Sequence, residues 1–409
     1  LGQVDVEQWM RIFAAEHIVV NFDAYGHEIG KNMYSFLPEN GKWQLYLFDL
    51  DWLMLAAVNH NSSYAPLTAP LFNSEDPTIS RMYAHPPFSR SYWRAIQDAI
   101  NGPLDPAQCD PVMDAKYKSL VENGVAWCDG QALTDPSVVK TWFSQRRTGL
   151  QNQLATVASP FTVSATVTVS NGVGVITGTA PVNVGTIAVN GEEWTVRWTT
   201  VNNWLALVPL QTGSNFLSVV GLDVNGQALA GASNGVALTY NVAVPSPVDT
   251  VVLNEIMFNP LAPNAQYIEL YNTSSNQAFD LSGWNVNGLG YTFPGGAVIA
   301  PRGYLLLAKD RTAFSTAYGP SIAVFDQYPG NLQADGETLS LLKPGTTPDA
   351  PTVVDRVRYE AVLPWPAASP GVALQLRDAA QDNARAANWA VGSTNVTSPQ
   401  SLSLVAYDS

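Results

Sequence analysis

Charge is scarce in this sequence. Only 13% of its 409 residues are Asp, Glu, Lys or Arg, against roughly 25% in an ordinary soluble domain. What charge there is leans one way, with 34 acids against 20 bases and a net charge of −14. Such a surface repels phosphate backbones and anionic lipid, so nucleic acid and membrane surfaces are not expected partners. Long apolar runs are also missing. None approaches the roughly 20 residues of a membrane span.

Cysteine is limited to Cys109 and Cys128. They could pair, closing a loop for about 3 kcal/mol, or stay as two buried thiols. A helix over 111–122, rising about 1.5 Å per residue, would hold the ends beyond the roughly 6 Å a disulfide tolerates, unless 123–127 double back. Hydrolase signatures are absent as well: there is no Gly-x-Ser-x-Gly elbow and no His-Glu-x-x-His. Paired carboxylates for glycoside hydrolysis carry no positive signal. His17, His27, His60 and His85 show no i, i+4 pairing and are expected to be surface or hydrogen-bonding residues. The chain opens on Leu1 with neither a basic nor an apolar leader region, so it is expected either to begin in mid-protein or to have lost a signal.

What is present changes character near Pro160. Before it, apolar residues recur at helical spacing: Val6, Trp9, Met10, Phe13 and Ile18 on one amphipathic helix, Tyr92, Trp93 and Ile96 on another. The stretch 136–156 predicts a longer helix, with Asp135 as its N-cap and Pro136 at the first position. Residues 61–87, polar and Pro-rich, predict a loop. After Pro160 the period falls to two, and short strands recur with turn signals at Asn171-Gly172, Asn190-Gly191, Thr212-Gly213 and Asn225-Gly226. Trp194, Trp198 and Trp204 supply bulk for a sandwich core of immunoglobulin size. A proline-stiffened linker, 242–249, precedes a second run of strands.

Composition of this kind, low in charge and rich in Thr, Asn, Ser, Val, Gly and Pro, is usual in extracellular β-modules, so a secreted or cell-surface location is expected. The fold class expected is multidomain: a mainly helical α+β segment at 1–158, then two antiparallel Ig-like β-sandwiches at 160–243 and 250–409.

The last segment carries ordered motifs: Leu253-Asn-Glu-Ile-Met-Phe-Asn-Pro260, Tyr267-Ile-Glu-Leu-Tyr-Asn272, Asp280-Leu-Ser-Gly-Trp284, Tyr291-Thr-Phe-Pro294, Ile299-Ala-Pro-Arg-Gly-Tyr304 and Leu363-Pro-Trp-Pro366. In this order they resemble the lamin tail domain family, whose bacterial members are Ig-like sandwiches beside catalytic modules. By alternation, Glu269 is expected to face opposite to Ile268 and Leu270, into solvent. Trp284 is expected in the core, in preference to a sugar-stacking platform with Trp365 and Trp389.

Residues 17–52 hold the chemistry-bearing pattern. Asn21-Phe22-Asp23 follows a helix, Lys31-Asn32 lies on the next loop, and a short strand over 44–48 delivers Asp49 and Asp51. Carboxylates at a strand end opposite an Asp/Asn loop form an oxygen-rich cluster of the kind that holds Mg²⁺ with nucleotide phosphates. The pattern resembles the CotH family of atypical secreted kinases. That resemblance implies Asp23 as the catalytic-loop aspartate, Asn32 as a second cofactor-side ligand, Asp49 as the metal-binding aspartate and Asp51 as its neighbour on metal and cofactor. It also implies Mg with ATP in the intact protein, and a nucleotide-covering lobe upstream of Leu1 without which these 409 residues are expected to be inactive. The alternative is a non-catalytic surface or adhesion protein whose sandwiches bind protein or glycan.

Overall fold

The computed structural model describes residues 4–27, 31–39, 41–50, 53–54, 65–72, 74, 76–128, 131–168, 172–345 and 350–392. Its N-terminal segment is mainly helical. Helix α1, Val6–Val19, starts where the Asp5 carboxylate accepts the N–H of Gln8, and buries Met10, Phe13 and Ile18. It lies on α3, Pro86–Asn101, which contributes Tyr92, Trp93 and Ile96 to the same core. Helix α5, Ser137–Ala155, closes that core with Leu150. The Asp135 carboxylate accepts the Ser137 N–H, but Pro136 takes the N-cap position and the helix begins one residue later than the sequence suggests. A three-residue hairpin, Tyr34–Phe36 against Gln44–Tyr46, is the small β component beside α1.

Two helices begin earlier than the sequence suggests, for one reason. Residues 77–84 form α2, not a loop: Asp76 accepts the N–H groups of Thr78 and Ile79, and Pro77 occupies the first turn. Helix α4 runs from Pro106 to Glu122, again behind a capping Asp105 and with Pro111 inside it. In both, proline marks a start, because at the first position its missing N–H is lost to no partner and its fixed φ suits the helix. Cys109, on α4, is a free, half-buried thiol.

The middle segment is a β-sandwich of two four-stranded antiparallel sheets. One orders its strands as 162–168, 173–179, 203–209 and 197–198, the other as 228–240, 213–222, 186–189 and 192–194. Asn190 and Gly191, both at positive φ, make the two-residue turn between 186–189 and 192–194, the geometry that Asn-Gly favours. Ile176, Ile187, Trp194 and Trp204 fill the space between the sheets, and Trp198 packs at its margin.

In the C-terminal segment a six-stranded sheet orders 326–327, 304–308, 267–272, 251–257, 374–376 and 389–391. It faces a four-stranded sheet of 291–292, 285–287, 336–343 and 352–360. All pairs are antiparallel except 304–308 with 326–327. Trp284, Trp365 and Trp389 are buried between the layers, so none of them is a sugar platform.

Glu269 departs from expectation: its side chain is fully buried. Its strand is covered on both faces, because the outer face of the six-stranded sheet carries Met257, Tyr267, Leu306 and Ala308 under Phe314 of helix α6, Arg311–Tyr318. Glu269 faces Glu255 across the strand pair. Asn254 donates to one of its oxygens at 2.8 Å, and the other has no hydrogen-bond partner. Burial first, then the neighbouring Glu255, push its carboxyl up to about 8.

Candidate functional site

The Asp23 loop is shaped by how α1 ends. Val20 adopts a left-handed conformation, and its N–H returns to the carbonyls of Glu16 and His17. A β-branched residue resists that conformation, and burial against Ala69 and Trp142 holds it there. The last carbonyls of α1 need partners. Arg146 of α5 supplies them. Fully buried, it donates to His17 O at 2.8 Å and Ile18 O at 3.0 Å, and to Ala69 O and Pro66 O of the following segment. Met54 N–H takes Val19 O at 2.9 Å. One guanidinium thus fixes the turn that sends Asn21-Phe22-Asp23 back across the helix.

Asp23 is buried, and its Oδ2 accepts from Lys31 Nζ at 3.1 Å and Asn32 Nδ2 at 3.0 Å. Its Oδ1 has no hydrogen-bond partner. The structure therefore joins Asp23 and Asn32 directly. Asp49 meets the neighbouring Asn21 through its main chain: Asn21 Nδ2 donates to the Glu16 carboxylate at 2.8 Å and also approaches Asp49 O at 3.4 Å. The Asp49 side chain is exposed. Asn32, Asp49 and Met54 all have positive φ, and left-handed non-glycine residues concentrate at functional sites. The strand that precedes Asp49 is shorter than expected, ending at Tyr46. Asp51 lies outside the described residues.

Four side chains surround this loop, of which Glu16 and Tyr83 carried no signal in the sequence. Glu16 is buried behind Asn21, and burial pushes its carboxyl up to about 7, with Asp23 adding to the rise and the Asn21 amide opposing it. His17 meets the hydrogen-bonding half of its expectation, with Nδ1 2.9 Å from Phe13 O, and neither it nor His27 stands at the surface. They are buried and stacked at 4.3 Å, and burial, with His17 and Arg146 nearby, drives His27 down to about 2. Tyr83 donates its hydroxyl to the carbonyl of Gly26, holding the far end of the loop.

The donor set suits a hard cation. It consists of carboxylate and amide oxygens, and those of Asp23 Oδ1 and Asn21 Oδ1 are buried without a hydrogen-bond donor. Magnesium is typically held by one or two carboxylates, with water and substrate phosphates completing the octahedron. Among the described residues no group of three His, Cys, Asp or Glu side chains converges on one point, so a cation here would need those additional ligands. The Asp49 carboxylate would hold it beside the Asp23 loop, and it would supply charge neutralisation of bound phosphates.

Comparison with known families follows the same division. The family model for the CotH kinase protein matches residues 2–150, and that for the lamin tail domain matches 245–361. Strands 374–376 and 389–391 lie beyond the second match yet complete its six-stranded sheet. No curated protein and no solved structure matches the chain. With the Asp23 loop and Asp49 inside the first match and the Glu255–Glu269 sheet inside the second, the chain joins a CotH kinase protein segment to a lamin tail domain, in that order.

Proposed function

We propose that the helical segment is the catalytic-loop half of a secreted, magnesium-dependent phosphotransferase that uses ATP. In this reading residues 1–158, 160–243 and 250–409 are its three modules. Asp23 accepts the proton of an attacking hydroxyl, and Asn32 and Lys31 fix its orientation. Asp49 holds the metal, with Asp51 beside it. The observation that carries the reading is Asp23 itself: a buried carboxylate with one oxygen anchored by Lys31 and Asn32 and the other unoccupied by any donor. A buried acceptor without a partner calls for an explanation, and an incoming hydroxyl proton supplies one here.

Calorimetric titration of MgATP into the full-length protein tests this. Uptake of nucleotide that requires magnesium and is abolished in Asp49→Ala is expected. Absence of uptake, or uptake indifferent to Asp49→Ala, refutes it. The second reading is a non-catalytic extracellular adhesion protein, favoured by the lack of a three-ligand metal cluster among the described residues. It expects partner binding to survive Asp23→Asn and Asp49→Ala together.

A further inference from the structure

A cavity of about 790 Å³ lies where the three segments meet, and its walls are braced. Arg90 of α3 is buried and donates to the carbonyls of Ala180, Pro181, Val184 and Val201. Arg94 reaches Val182 O, Val184 O and the Glu7 carboxylate. This is a joint between modules. A second cavity, of about 10 Å³, lies against the Asp23 loop, lined by Glu16, Tyr25 and Asn32 among others.

Glu16 is out of keeping with its place. It stands in the last turn of α1, is buried, and pairs with no cation among the described residues. Negative charge near a helix C-terminus opposes the helix dipole, and an unpaired buried acid costs stability. An apolar side chain of similar size would avoid both costs. What the carboxylate does is hold the Asn21 amide, accepting from Nδ2 at 2.8 Å. That contact sets which way round the amide lies. Nδ2 also faces Asp49 O, 3.4 Å away, and Oδ1 is left without a donor. Asp49 has a positive φ, a conformation that persists in a non-glycine residue only where its surroundings hold it. Two contacts tie its segment to the end of α1: Asp49 O on Asn21, and Met54 N–H on Val19 O.

We propose that Glu16 is a positioning residue for the metal: through the Asn21 amide it fixes the Asp49 main chain, and so the place of the carboxylate that would hold magnesium. The inference rests on the phosphotransfer reading, in which Glu16 itself touches neither metal nor nucleotide.

The test is calorimetric titration of ATP into the full-length protein at a series of magnesium concentrations. Wild type is compared with Glu16→Gln and with the double substitution Glu16→Leu and Asn21→Leu. Replacing both hydrogen-bonding partners by apolar groups is close to neutral for folding. The double variant should therefore melt no lower than wild type, yet need about ten times more magnesium for half-maximal uptake, as when a group that orients a metal ligand is lost. Glu16→Gln keeps an oxygen for the Asn21 amide and should need as much magnesium as wild type. An unchanged requirement in the double variant overturns the proposal, as does a rise in Glu16→Gln equal to that of the double variant. Should the double variant not fold, Asn21→Ala decides: the same rise supports the proposal and an unchanged requirement overturns it. Absence of uptake by wild type refutes the phosphotransfer reading and this inference with it, whereas wild-type uptake indifferent to these substitutions refutes the inference alone.

Discussion

Glu269→Gln should stabilise the lamin tail domain in alkaline solution and leave it almost unchanged in acid. In the native fold Glu269 is buried opposite Glu255, and its carboxyl is raised from 4.5 to about 8. A raised acid binds its proton more tightly folded than unfolded. Its contribution to stability is therefore fully present below pH 4.5 and is lost as pH rises through about 8. At about 1.4 kcal/mol for each tenfold change, ionising it in the fold costs up to about 5 kcal/mol, less whatever water entry relieves. Glutamine keeps the oxygen that accepts from Asn254 and never ionises. Thermal unfolding of both proteins from pH 5 to 9 is the assay. For a domain of this size the gap at pH 9 should be on the order of 10 °C, closing toward pH 5. A wild-type melting temperature that is flat over this range, or a variant with the same slope, would refute the assignment.

Other substitutions probe the remaining modules. Arg146→Met should cost about 3 kcal/mol or more, since it strips buried carbonyls of their donor, and nuclear magnetic resonance titration should show His27 rising from about 2 once the nearby charge is gone. Gly178→Ala would put a Cβ 2.0 Å from Thr162 O and 2.7 Å from the Trp204 ring; overpacking of this kind costs about 1–3 kcal/mol. Its calorimetric signature should be a lower transition for the middle sandwich with the Glu269-dependent transition unmoved. Gly26→Ala would place a Cβ 2.3 Å from buried Phe13, so MgATP uptake should fall with stability by a similar amount.

The patterns legible in the sequence were those set by local chemistry. The helix-to-strand switch near Pro160 and the Asn190-Gly191 turn each depend on residues within a few positions of one another and are where expected, and the helix after Asp135 starts within one residue of its expected position. Asp23 with Asn32 was legible for a similar reason, being nine residues apart on one loop. Glu269 was not, because strict alternation distinguishes faces only when one face is wet, and α6 closes the other. Arg146 could not be found at all by spacing. It lies 129 positions from His17, and only the packing of α5 on the end of α1 brings them together. The helix starts at Pro77 and Pro106 were missed because polar, Pro-rich composition masks the capping role of Asp76 and Asp105 just ahead of each proline.

Arg90 and Arg94 give the chain a property that modular descriptions omit. A string of beads can be cut between beads, but here the cut would fall through a buried electrostatic contact. Separating the helical segment from the sandwich would expose two guanidinium groups on one side and a ring of carbonyls on the other, from Ala180 to Val201. Because α3 bears both arginines and also packs on α1, a pull applied to the sandwich would be carried along that helix into the core that shapes the Asp23 loop.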